Sequence, residues 1–182
     1  MKKIYVFIFF LFILNCNKIE KDFFPLKSGK YWNYDVEILP NIEDKVFYKK
    51  NNFSLPKVSL KLNDKILNNI YPILREDNSI YYYSKNVNGV YREAIQFNNN
   101  SSIISESKKK LVLKYPIKVG NKWSSQSKTF LILRRYPYFD YRATTDFKIN
   151  YEIKSVNETI KVPAGKFNNC IRLEGKGNAT FI

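Results

Sequence analysis

Histidine is absent from the 182 residues. That removes the usual general base near neutral pH, the commonest metal ligand, and the imidazole of a Ser-His-Asp or Cys-His pair. Cysteine is almost absent: Cys16 and Cys170 are the whole complement, so no Cys/His metal cluster can be written. Glycine is scarce, six in all, and no Gly-rich phosphate loop occurs. Adjacent carboxylates are few. Glu43-Asp44 is one pair. Glu76-Asp77 is another, but it runs on into Asn78-Ser79 and reads as a turn, because Asp and Asn bond their own backbone there. No catalytic residue, cofactor or metal is therefore expected, and the chain reads as a non-enzyme. No apolar run reaches the ~20 residues of a membrane-spanning helix.

The longest apolar run is Ile4 to Leu14, preceded by Lys2 and Lys3 and followed by Asn15 and Cys16. A positive start and an apolar stretch of this length fit the core of an export signal. The ending Ile13-Leu14-Asn15-Cys16 resembles a bacterial lipobox, with Asn15 where a smaller residue is usual. The expectation is a signal peptide over 1–15, a lipidated tether over 16–23 and a β-rich envelope domain over 24–182. Cys16 then carries acyl chains such as palmitate, several of which hold a protein firmly to a membrane. The bland alternative is an ordinary cleaved signal or a weak anchor with Cys16 incidental. Asn17 after the cysteine favours the outer membrane if the cell has two. With Cys16 acylated, Cys170 has no disulfide partner, and it reads as a small strand residue before a reactive thiol.

The formal charge is +15, from 31 basic and 16 acidic side chains, and cleavage after Asn15 removes only Lys2 and Lys3 of them. Such a balance suits anionic lipid headgroups or acidic glycans. An AT-rich genome explains it as well, since Lys accounts for 25 of the basic residues and Asn occurs 21 times. An exported chain makes nucleic acid an improbable partner.

After the tether, strand signals dominate. Alternating, β-branched and aromatic residues predict strands over 31–38, 46–50, 58–62, 70–75, 80–84, 90–97, 111–115, 129–136, 142–156, 159–162 and 167–174. Residues 60–69 are the one stretch with a helical alternative. Asn88-Gly89 predicts a two-residue type I′ hairpin, Asp77-Asn78 another connection, and together they give a meander over 70–97. Residues 98–102 read as a loop between halves, and Ser105–Lys110 as a solvated charge run. Pro163-Ala164-Gly165 predicts a hairpin with a Gly bulge. The fold class is mainly β: a single antiparallel, strongly curved sheet or half-open barrel, preceded by the signal helix.

One device is written twice. "FPLKSGKYW" over 24–32 and "YPIKVGNKW" over 115–123 share aromatic-Pro-apolar-Lys-x-Gly-x-x-Trp, and they hold the only two tryptophans. Pro25 and Pro116 keep the preceding residue extended. Gly29 and Gly120 allow a left-handed turn. Trp32 and Trp123 then start strands, and the preferred reading makes both of them buried plugs. The rival reading is a pair of stacking platforms for a ligand.

The segments "FPLKSGKYWNYDVE", "YPIKVGNKW" and "TIKVPAGKFNNCIRLE" together resemble a broad group of uncharacterised bacterial lipoproteins. In that group P-L-x-x-G-x-x-W-x-Y follows the tether and V-P-A-G-x-F lies later. The resemblance implies an antiparallel β-domain, in some members like the half-barrels of lipoprotein-sorting and lipid-carrying envelope proteins. It implies no activity. Members of the group continue past the V-P-A-G hairpin with a further strand pair, whereas this chain stops at "GKGNATFI", so a truncated last edge is expected.

The functional expectation is a membrane-tethered, non-catalytic protein that binds another envelope component: a protein, a glycan or an anionic lipid. The candidate partner patch is "RRYPYFDYR", with Arg134, Arg135, Tyr136, Tyr138, Phe139, Tyr141 and Arg142, because Arg and Tyr together suit such partners. Solvated arginines on a covering loop explain it equally well. The alternative function is a carrier of an apolar ligand or lipid in a half-barrel cavity lined by Phe97, Phe130, Ile132 and Phe147.

Overall fold

The computed structural model describes residues 22–38, 46–135 and 140–180, without the side chains of 38, 46, 130–135 and 140–142. The expected signal segment over 1–15 and Cys16 lie outside them. Ten strands are described: β1 Tyr31–Ile38, β2 Val46–Ser54, β3 Val58–Leu62, β4 Lys65–Arg75, β5 Ile80–Asn86, β6 Gly89–Gln96, β7 Ile104–Lys114, β8 Lys122–Arg135, β9 Asp140–Val162 and β10 Gly165–Gly177. They form two antiparallel sheets, not one. The first is a curled half-barrel in the order β1-β2-β4-β5-β6-β7, with β3 paired to the first half of β4. The second is the three-stranded β10-β9-β8. The two meet where β8 crosses the end of β7.

Several local expectations shift for identifiable reasons. Residues 60–69 form the β3–β4 hairpin, not a helix. Asn63 and Asp64 both take positive φ, 45° and 64°, which is the pair of left-handed residues a tight hairpin demands. The meander β4-β5-β6 forms as expected. Its second turn, however, falls on Val87 and Asn88, one residue before Asn88-Gly89. The Asn86 carboxamide oxygen accepts from the Asn88 amide at 2.8 Å and fixes the turn there. Gly89 instead starts β6 at φ 149°, where a Cβ would stand 2.2 Å from the Leu113 carbonyl oxygen of β7. The 163–165 hairpin has the same build. Pro163 and Ala164 form a two-residue loop, and Gly165 pairs with Val162 at φ 132°. The charge run 105–110 belongs to β7, and 142–156 with 159–162 form one long strand, β9.

The doubled device is part of a larger repeat. Gly29, at φ 79°, donates its amide to the Ser54 carbonyl at 2.8 Å; Gly120, at φ 81°, donates to the Ile153 carbonyl at 2.8 Å. The amides of Ser54 and Ile153 return bonds to the carbonyls of Lys30 and Asn121 at 2.8 and 3.0 Å. Lys30 and Asn121 also close equivalent turns on Lys27 and Lys118. The strands that follow match as well. β1 pairs β2 and β2 pairs β4, as β8 pairs β9 and β9 pairs β10. Even the bulges coincide. Asn69 and Asn169 both stand at φ 59°, and their neighbours Asn68 and Asn168 each accept a hydroxyl bond at 2.9 Å, from Ser59 and Thr159. Thus β1 to β4 and β8 to β10 are two copies of one supersecondary unit, with β9 replacing the broken pair β2 and β3.

Two apolar clusters cover opposite faces of the first sheet and take alternate residues of β5. Tyr83 packs against the one built by Leu26, Ile73, Val90, Leu113, Trp123 and Ile153; Tyr82 belongs to the other, with Leu60, Leu62, Ile70 and Ala94. The first cluster joins both copies of the repeat. It draws Leu26 and Ile117 from the apolar position of each device.

Candidate functional site

The two tryptophans occupy equivalent backbone positions and meet different surroundings. Trp123 is 8% exposed. Its indole N–H donates to the Leu111 carbonyl at 3.2 Å, an edge carbonyl that also accepts from Ser125 Oγ at 2.6 Å. Its ring stacks on Tyr151, the cross-strand neighbour, with centroids 5.4 Å apart and planes 22° from parallel. Tyr151 in turn lies over Gly175, its partner on β10, where a Cβ would come within 2.9 Å of the tyrosine ring. The row Trp123-Tyr151-Gly175 is closed and apolar. Glycine leaves room for the tyrosine, and the tyrosine covers the tryptophan.

The corresponding row of the first copy is Trp32-Asn52-Arg75. Asn52 is too short to cover an indole. Arg75 turns away onto Tyr81, donating to its hydroxyl at 2.7 Å and lying 4.6 Å over its ring. Trp32 is left only partly buried, with no stacked ring and no partner for its N–H among the described residues. It therefore departs from the buried plug expected of it.

What opens beside Trp32 is a cleft of about 760 Å³ bounded by β1, β2, β4 and β5. Its lining alternates aromatic platforms (Phe24, Trp32, Tyr34, Tyr83) with polar groups of both signs (Asp35, Glu37, Lys50, Asn52, Arg75). Tyr34 is 44% exposed at the mouth. Tyr83 lies deeper, against Phe24, and burial pushes its hydroxyl up to about 12, so it stays a neutral hydrogen-bonding group at any physiological pH. The Tyr81 ring is held between two guanidiniums, Arg75 at 4.6 Å and Arg92 at 4.8 Å. Such a sandwich fixes the aromatic floor by cation–π attraction.

The residues singled out from the sequence are distributed as follows. Gly29 and Gly120 carry the two device turns. Pro163 lies in the β9–β10 hairpin loop and Gly165 opens β10 just after it, away from the cleft. Cys170 is half-buried beside the Asn169 bulge, its Sγ 3.6 Å from the Phe167 carbonyl. The patch Arg134 to Arg142 stands at the β8–β9 connection. Tyr136, Tyr138 and Phe139 fall outside the described residues, as do the side chains of Arg134, Arg135, Tyr141 and Arg142. Of the proposed cavity lining, Phe97 lies exposed at the rim between β7 and β8 and Phe147 packs beside Gly177; Phe130 and Ile132 have no described side chains. The cleft residues Asn52, Arg75, Tyr81 and Tyr83 were missed. The repeated device pointed to Trp32, but only the register reveals what stands opposite it. Among the described residues no three metal-ligating side chains converge. Comparison of the chain with protein-family models, with curated proteins and with solved structures finds no match.

Proposed function

We propose that this chain is a membrane-tethered, non-catalytic binding protein of the bacterial cell envelope, and that the cleft beside Trp32 takes a segment of envelope glycan. The observation that carries the reading is the contrast between the two copies. One fold unit appears twice; one tryptophan is covered by Tyr151, and the other is only partly buried, with no ring stacked on it, beside Asn52 and Arg75. A stacking aromatic edged by amide, carboxylate and guanidinium groups matches a sugar ring, which offers apolar C–H faces and equatorial hydroxyls. Support for the tether is the lipobox-like ending at Cys16. The resemblance to envelope lipoproteins agrees with it. A carrier of an apolar ligand would need an apolar lining, whereas Asp35, Glu37, Lys50, Asn52 and Arg75 edge this cleft.

The test is tryptophan emission during titration with a chitotetraose and with fragments of peptidoglycan glycan. Binding should quench a signal that disappears in Trp32→Phe and persists in Trp123→Phe. Asn52→Tyr rebuilds the covering ring of the second copy at the first. It should abolish binding while leaving the protein folded. A fatty acid that quenches Trp32 when no glycan does would replace this reading with the carrier.

A further inference from the structure

A second concavity lies between the two sheets, where β7 and β8 splay apart. Each of these strands ends its sheet. They touch at Leu111, whose carbonyl accepts from Trp123 and Ser125, and again where Lys110 Nζ lies 3.3 Å from Ser127 Oγ. Beyond that point they bound a groove of about 1070 Å³. Its charged lining is Arg92, Lys108, Lys109, Lys110, Lys128 and Lys148 against only Glu106 and Asp146. Hydroxyls are interleaved: Ser107, Ser125, Ser127 and Thr129 among them.

Two of the six cations are already neutralised. Arg92 Nε contacts Glu106 at 2.5 Å, and Lys109 Nζ contacts the buried Glu93 at 2.9 Å. No carboxylate lies within ion-pair distance of Lys108, Lys110, Lys128 or Lys148 among the described residues. Lys110 is half-buried, and burial with Arg92 beside it pulls its ammonium below the usual lysine range. Cations gathered at this density repel one another, and partial burial denies Lys110 full hydration. An anion in the groove would relieve both costs.

The backbone argues against a peptide strand as the occupant. Arg92 pairs Lys110 and the next β6–β7 pair is Ala94 with Ser105. Residues 106–109 are thus looped out of register on β7. A bulge and a row of lysines are the devices that keep an open edge from accepting another strand. What they leave is charge and hydroxyl donors without a regular ladder, which suits tetrahedral phosphate oxygens.

We infer that the groove between β7 and β8 is a binding site for phosphate groups of an anionic component, held by Lys110 and Lys128 from the two strands that bound it. The groove also adjoins the Trp32 cleft. Tyr81 lines both, with Arg75 of the cleft over its ring and Arg92 of the groove, the cross-strand partner of Lys110, over it as well. The inference stands whether or not the cleft binds glycan, because it rests on the groove alone.

The experiment uses the Cys16→Ser protein, so that acyl chains do not dominate membrane binding. Tripolyphosphate is titrated by calorimetry. Vesicles of phosphatidylcholine with and without phosphatidylglycerol are tested by cosedimentation. The paired variant Lys110→Met/Lys128→Met is compared with Lys161→Met/Lys166→Met, which makes the same charge change on the distant β9–β10 hairpin. Tripolyphosphate should bind one to one, and the groove variant should weaken it about tenfold or more, with the hairpin variant within about twofold. If the natural source is a headgroup, the groove variant should also lose phosphatidylglycerol vesicles; if it is a soluble or polymeric phosphate, only the tripolyphosphate arm responds. Equal weakening by both variants, or no binding of either probe, would overturn the inference, since only the general positive field of the protein would then remain.

Discussion

Truncating the two tryptophans separates a plug from a platform. Trp123→Ala removes a side chain that is 8% exposed. An indole of this kind buries ~200 Å², worth at most about 5 kcal/mol at ~25 cal/mol per Å². The surroundings cannot collapse freely, because Tyr151 is fixed over Gly175 and Leu111 belongs to another sheet. The lost N–H bond adds little, because Ser125 Oγ stays on the Leu111 carbonyl at 2.6 Å and the acceptor is not orphaned. The expected cost is roughly 3–5 kcal/mol. Trp32→Ala removes a partly buried ring with no stacked partner, and should cost less, about 2–3 kcal/mol. Urea denaturation followed by far-UV circular dichroism measures both, with unchanged m-values confirming that the midpoints report stability. Cost and ligand affinity should be inverted: Trp123→Ala unstable but, where folded, able to bind, and Trp32→Ala stable but unable. Equal destabilisation by the two variants would refute the claim that Asn52 and Arg75 leave Trp32 uncovered.

Gly89→Ala should be far more damaging than Gly165→Ala. Both glycines have positive φ, but a Cβ at Gly89 meets the Leu113 carbonyl at 2.2 Å while Gly165 faces open space; similar melting temperatures would reject the close approach of β6 to β7. Asp77→Asn should flatten the acid limb of the stability curve. Burial alone would raise this carboxyl, but bonds from the Ser79 hydroxyl and amide, with Arg75 nearby, hold it below the usual carboxylate range. Its native pKa lies below the unfolded one, so its contribution is complete above the ordinary value and vanishes as pH falls through the depressed one. An unchanged acid midpoint in Asp77→Asn would count against that. Cys16→Ser should release the protein from membranes and abolish acyl labelling, and continued membrane retention with a mature N-terminus elsewhere would dismiss the lipid anchor.

Chemistry that acts within a few residues was legible in the sequence; chemistry that depends on register was not. The two devices declared themselves because Pro, Gly and Trp act locally: Gly29 and Gly120 reach nearly the same φ and close the same bonds. The strand from Tyr31 to Ile38 was marked by its own residues. The helical alternative over 60–69 arose because Asn63-Asp64 is a weaker hairpin signal than Asn-Gly, although both residues accept left-handed conformations. Which residue faces each tryptophan was hidden for another reason. A shift of one residue turns every side chain of a strand to the other face, and here bulges at Asn68-Asn69 and Asn168-Asn169 shift the β3–β4 and β9–β10 ladders. The words "LNNI" and "FNNC" carry those bulges, and their recurrence behind a Ser or Thr was the overlooked clue that the repeat extends beyond the devices. Once two copies are aligned, each serves as the control for the other. Tyr151 and Gly175 define what a closed row needs, a large ring and the space to lay it down. Asn52 and Arg75 supply neither, so the first copy keeps its turn and its tryptophan but not the cover. The same turn can therefore anchor a core in one half and leave its tryptophan partly exposed in the other, and two cross-strand neighbours decide which.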